Sequence, residues 1–339
     1  MNKILKIGLS VVFAALFLWL AFRNVEFSEI MEASKEMSWG WTFPFTLCLI
    51  LSHYLRAERW RMLFNDGGVI PHRFTLFTGV MFGYLSNIPV PRLGEVTRPI
   101  YVARQVGESN SKIIGTIVLE RIVDVLSMLI IMAFVGIFLI SDAEILNRLF
   151  GIDFTNSDEV SSIVGSLALV GVAALIVGAM LFFMVVRLSK GDTAFARFIN
   201  KVREASKNFF AGVLSIRKLK NWPLFLFYTF AIWGFYILMI YFPFWMFDLH
   251  ISFELSLADA VVLTMVSAVG ISIPTPGGIG SYHYFITYSL FVLYAVPEVT
   301  GLAFATITHA ATLLLVMLIA PICLAIDKFV VLRKEAVEK

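Results

Sequence analysis

Apolar residues gather along this chain in long runs, 4–22, 39–55, 113–140, 161–187, 222–247 and 300–326, with polar stretches between them. Each run approaches or exceeds the roughly 20 residues that an α-helix needs to cross hydrocarbon, so the pattern predicts six full spans. Trp39, Trp41, Trp222 and Trp245 stand near span ends, where indole rings favour the membrane–water interface. The first run follows Lys3 and Lys6 and ends in WLAFRNV without a small-x-small cleavage site, so it reads as an uncleaved span.

Two regions break the pattern. Residues 73–91 are apolar enough to enter a bilayer but lead through IPVPRLGE (88–95) into 92–105, where Arg92, Glu95, Arg98 and Arg104 are too polar for a lipid-facing crossing. Residues 257–274 likewise run into IPTPGGIG (273–280), and the apolar stretch behind it, 281–296, is short. Pro89, Pro91 and Gly94 in one phrase, and Pro274 and Pro276 in the other, break the helix each interrupts.

Loop charge indicates the threading. Arg56, Arg59 and Arg61 in the expected loop at 56–72, and eight Lys or Arg between Lys190 and Lys220, mark cytoplasmic loops. The stretches 23–38 and 141–160 carry mostly Glu and Asp and read as outside. This pattern holds only if 73–105 enters from the cytoplasm and returns, and 257–296 enters and leaves on the outer side, either as a re-entrant pair or as two short spans. Three full spans then separate the two phrases, so the hairpins enter from opposite faces, the signature of an inverted repeat.

The expected fold is therefore all-α: a polytopic integral membrane protein with six full spans and two helix-break hairpins. One transmembrane domain, 1–339, holds repeat one at about 39–140 with hairpin 73–105, and repeat two at about 222–326 with hairpin 257–296. Both termini fall on the cytoplasmic side of a cell (inner) membrane. Within 193–220, Phe195, Phe198, Ile199, Val202, Phe209 and Val213 recur at helical spacing among basic residues, as in an amphipathic helix on an anionic membrane surface.

Composition agrees with this reading. The chain is 59% hydrophobic and only 15% charged, with mean hydropathy +0.85, and its net charge of +3 is too small to point to nucleic acid. Cys48 and Cys323 sit in apolar runs, as small packing residues do. No metal spacing, Walker loop, nucleophile elbow or nucleotide fingerprint is present, so neither a metal nor another cofactor is expected.

Irregular backbone survives at membrane depth only inside protein or beside a water-filled cavity, so both breaks should face the interior. Each precedes a short helix whose first N–H groups favour an anion. Gly277, Gly278 and Gly280 allow close backbone approach, and Ser281 is the expected N-cap. Arg92 and Arg98 flank Glu95, while LERIVD places Glu120 and Asp124 on one face of the next span and Arg121 about 100° away. Two readings of these charges stand: arginine neutralising the carboxylates to fasten hairpin to span, or arginine holding a phosphate in fork geometry. His283 either contacts ligand or makes a helix-start hydrogen bond.

In NIPVPRLGEVTRP, LERIVD and PTPGGIG, in that order, the chain resembles the flippase-like proteins related to the transmembrane region of lysylphosphatidylglycerol synthase. The resemblance covers essentially the whole chain. It implies a domain that moves a phospholipid headgroup between leaflets, with Arg92, Gly94, Glu95 and Arg98 in the first signature. Glu120, Arg121 and Asp124 form the second, and Pro274, Pro276, Gly277, Gly278 and Gly280 the third. Lipid-making members carry a large cytosolic aminoacyl-transfer domain behind the membrane part, whereas about a dozen residues follow the last expected span here, so that enzymatic activity is not expected of this chain alone. The expected function is transport of a phospholipid or lipid-linked phosphate. Two alternatives remain: an intramembrane enzyme using Glu120, Asp124 or His283 as acid or base, or a non-transporting partner of a lipid-modifying enzyme.

Overall fold

The structure, a computed structural model, describes residues 3–23, 25–35, 37–64, 70–136 and 206–337, together with isolated helical positions at 162, 165, 169 and 180. Every regular element among the described residues is helical. In chain order the longer helices are α1 (Lys3–Phe22), α2 (Phe27–Lys35), α3 (Thr42–Arg61), α4 (Arg73–Asn87), α5 (Gly94–Val106) and α6 (Asn110–Phe134). Then come α7 (Trp222–Met246), α8 (Leu257–Ser272), α9 (Ser281–Tyr294) and α10 (Glu298–Val337). Apart from those four positions the expected span at 161–187 lies outside the described residues, as does 193–205 of the expected amphipathic segment.

Two helices, Trp222–Met246 and Glu298–Phe329, are long and apolar enough to cross a membrane by length and composition. Helix α3 covers the expected 39–55 run but carries Arg56, Glu58, Arg59 and Arg61 in its last turns, and α6 carries Glu120, Arg121 and Asp124. Arg56 and Arg59 of the first set and Glu120 and Asp124 of the second interrupt the apolar sequence because they belong to a buried polar centre.

Helices α3 and α7 run antiparallel. At one end the Ser38 N–H donates to Met246 O at 2.8 Å and Trp41 packs on Trp245; at the other, Arg59 reaches Thr229. Residues 206–213 form a further helical stretch packed on α6, where Gly212 and Gly115 face each other with no room for a Cβ on either. Leu219, just beyond it, is buried in the core with Trp60, Leu76 and Phe225.

Each proline phrase ends one helix and starts another. Helix α4 stops at Asn87, and α5 folds back along it so closely that a Cβ on Gly94 would overlap the Gly83 carbonyl. Helix α8 stops at Ser272; a single 3₁₀ turn, Pro276–Gly278, precedes α9, which packs back on α8 at Gly270. Both are helical hairpins with irregular backbone at the tip.

Helix α10 measures their relative direction. Its early turns pack on the base of the second hairpin, with Gly301 beside Thr287 and Leu290. Further along, His309 meets the second tip at the Gly277 carbonyl, 2.9 Å away. Val316 and Ala320 then pack with Met81 of the first hairpin, and Asp327 reaches its base, accepting from Thr75 at 2.9 Å and from Tyr101. At about 1.5 Å per residue, His309 and Asp327 lie about 27 Å apart along α10. The hairpins therefore approach from opposite ends of α10, and their tips meet near His309.

Candidate functional site

Two groups of residues make the site. The first is a buried ion cluster joining α3, α5, α6 and α7. Arg56 and Arg59 lie three apart on α3 and face Glu120 and Asp124, four apart on α6. Arg56 Nη1 donates to Glu120 Oε1 at 2.5 Å and to Asp124 Oδ2 at 2.9 Å; its Nη2 reaches the Tyr236 hydroxyl at 3.0 Å. Arg59 Nη2 donates to Asp124 Oδ1 at 2.6 Å. Arg98, from the first hairpin, grips Glu120 in a fork at 3.0 and 3.2 Å and lies over the Trp60 ring, 4.0 Å from its centroid. Arg56, Arg59, Arg98 and Glu120 are buried, Arg59 and Glu120 almost completely, and Asp124 is partly so.

Arg56 and Arg59 are the residues that sequence reasoning missed. They follow a short apolar run and sit close to Arg61, so they read as loop charge; the helix instead continues through Arg61 and directs two of the three inward. Their i, i+3 spacing, matched against Glu120 and Asp124 at i, i+4, was the available signal. Arg121 lies at the edge of the cluster and is half-exposed, 3.5 Å from Glu95 and 3.9 Å from Asp124. Of the two readings of Arg98, the neutralising one describes its geometry.

The second group is the meeting of the tips. Arg92 sits at the first tip with φ 60°, a left-handed conformation uncommon outside glycine, and is exposed. Its Nη2 donates to the Ser272 carbonyl at the end of α8, 3.0 Å away. A Cβ placed on Gly277 would stand 3.6 Å from Ile88 Cα, so about one methyl group's width separates the backbones of the two tips. Gly277, Gly278 and Gly280 have φ of 59°, 79° and 86°, which accounts for glycine at all three.

Ser281 is not the N-cap of α9. Gly280 takes that position, since its φ of 86° excludes a side chain, and a Cβ there would also meet the Ala14 carbonyl of α1 at 2.6 Å. The Ser281 hydroxyl turns inward to Thr275 Oγ1 at 2.9 Å and Gly278 O at 3.3 Å. His283 makes the helix-start hydrogen bond, its Nδ1 accepting from the Gly280 N–H at 3.3 Å, with its ring 5.1 Å from that of His309. His309, itself buried, ties the second tip to α10 through Gly277 O. Pro89 and Pro91 lie in the first break, Pro274 and Pro276 in the second, and Gly94 opens α5 with its N–H held by Asn87 Oδ1 at 2.6 Å.

Helices throughout the described residues, apolar spans around buried charge and paired, interrupted hairpins mark a membrane protein. The family model described as the lysylphosphatidylglycerol synthase TM region matches residues 5–320, and the chain belongs to that family. No curated protein and no solved structure gives a significant match.

Proposed function

We propose that this chain is a flippase-like transporter that moves a phospholipid or lipid-linked phosphate headgroup across the inner membrane. The observation that carries the reading is the end-to-end meeting of two interrupted hairpins approaching from opposite ends of α10. The legs α4, α5, α8 and α9 are each about 20–24 Å long, below the roughly 30 Å of a hydrocarbon core. They suit re-entrant hairpins within six full spans, arranged as an inverted repeat with both termini cytoplasmic. A headgroup phosphate would sit at the tips against Arg92 and the backbone from Gly277 to Ser281, while the acyl chains stay in lipid. Movement of one hairpin against the other would alternate access, a mechanism drawn by analogy with other inverted-repeat carriers.

The ion cluster has a different part: it fastens α5 to α3 and α6, so that the first hairpin moves against a fixed wall. Glu120 and Asp124 are both occupied by arginine, which disfavours either as a free catalytic base and supports transport without chemistry. The family name concerns a lipid-synthesising enzyme, and a lipid-modifying enzyme is the partner this reading implies. Vesicles reconstituted with the protein and a labelled anionic phospholipid test it. Label should cross faster than in protein-free vesicles; equal rates for every lipid class tried would defeat the proposal.

A further inference from the structure

We propose that Arg92 is a latch between the two hairpin tips, and that the phosphodiester of a lipid headgroup opens it by replacing the Ser272 carbonyl on the guanidinium. This rests on the transport reading and assigns the first step at the same site. The Ser272 carbonyl lies at the C-terminal end of α8, among the acceptors a helix leaves without an internal partner and on the negative side of its dipole. Arg92 satisfies that carbonyl from the other hairpin, so the hydrogen bond ties the two tips together. The close approach of Ile88 to Gly277 lies beside this tie, and separating the hairpins must widen the one and break the other.

A guanidinium bound to one neutral carbonyl is held weakly compared with the same group on a phosphate, which accepts two charge-assisted bonds in matching planar geometry. Arg92 is also exposed, unlike Arg56, Arg59 and Arg98, whose carboxylate partners are buried with them. Its carbonyl partner therefore yields to an anion that reaches the tips, whereas Glu120 and Asp124 keep theirs. The positive φ of Arg92 adds a second element, because the first tip holds an L-residue in a conformation it disfavours.

The test uses the full chain in maltoside detergent, which carries no phosphate, with Cys48→Ala and Cys323→Ala so that Ile88→Cys is the reactive thiol. N-ethylmaleimide labels a thiol only when it is hydrated and ionised, so the labelling rate reports opening of the tips. Arg92→Asn is the informative variant, since asparagine tolerates the left-handed backbone and the substitution removes the guanidinium without adding strain. Labelling should be slow in the parent and rise about 10-fold or more on loss of a charged hydrogen bond, either in Arg92→Asn or on adding phosphatidylglycerol. Arg92→Asn should label rapidly with or without lipid, and Arg92→Lys should fall between.

Equal, slow labelling of Arg92→Asn and parent would overturn the latch, as would a parent rate indifferent to both phosphatidylglycerol and inorganic phosphate. Opening by the lipid alone assigns the site to a membrane substrate. Opening by inorganic phosphate as readily as by lipid would keep the latch while counting against the lipid-transport reading. Vesicle transport that is normal in Arg92→Asn, with its lipid preference unchanged, would uphold transport and sink the latch.

Discussion

Replacing Glu120 by glutamine keeps the shape of the side chain and removes one of two negative charges from a buried cluster that also holds three arginines. The parent cluster carries one positive charge in excess among Arg56, Arg59, Arg98, Glu120 and Asp124; Glu120→Gln raises that to two, away from water. Arg98 then faces an amide in place of both of its carboxylate contacts, at 3.0 and 3.2 Å. Breaking a buried pair from one side costs about 3–5 kcal/mol, and the retained amide oxygen keeps the expectation near the lower figure. At about 2 °C per kcal/mol for a chain of this size, Tm should fall by roughly 6 °C, measured by tryptophan fluorescence of detergent-solubilised protein. The partner substitution distinguishes charge from packing. Arg98→Gln alone brings the cluster to neutrality, and combining it with Glu120→Gln restores the parent's single excess positive charge, so the double variant should be more stable than Glu120→Gln alone. Full additivity of the two losses, or a shift of less than about 1 kcal/mol for Glu120→Gln, would refute the electrostatic account.

Three further outcomes follow from the packing. Gly94→Ala forces a methyl group into the Gly83 carbonyl and should cost about 1–3 kcal/mol while separating the legs of the first hairpin, seen as faster hydrogen exchange in 80–100. Tyr101→Phe leaves Asp327 with Thr75 as its remaining hydroxyl donor, so stability should drop by about 1–3 kcal/mol, whereas Asp327→Asn, whose Oδ1 accepts from one hydroxyl while its NH2 donates to the oxygen of the other, should lose less; the reverse order would contradict the assigned roles. Gly280→Ala meets both an unfavourable φ and the α1 backbone, and should destabilise more than Gly277→Ala, whose Cβ finds ordinary contact space; thermal unfolding of the two side by side decides it.

Much of this architecture was legible because the signals are backbone signals. Proline removes a donor and glycine permits positive φ, so IPVPRLGE and IPTPGGIG mark breaks whatever surrounds them, and α4 and α8 end within a residue or so of those phrases. Glu120, Asp124 and the place of Arg121 at the cluster's edge followed from helical geometry alone. Partners were harder, since pairing across helices is a tertiary property. Arg56 and Arg59 look like any basic span end until α6 is packed opposite them, and a sequence count cannot tell an inward arginine from one in solvent. Arg98 was placed beside the tips with Arg92, yet four residues of helix beyond Gly94 carry it to Glu120 and leave Arg92 alone on Ser272. Ser281 as a cap failed for a local reason: the sharp turn demands a φ that only the glycine before it adopts without strain.

The central claim is that the two hairpins enclose a headgroup where they meet. Electron cryo-microscopy of the protein in nanodiscs of anionic phospholipid tests it most directly. Headgroup density between residues 88–94 and 272–281, beside Arg92 and well below either membrane surface, is the expected result. Tips lying at the level of the lipid headgroups, with α4 or α8 crossing the whole bilayer and no density between them, would contradict it.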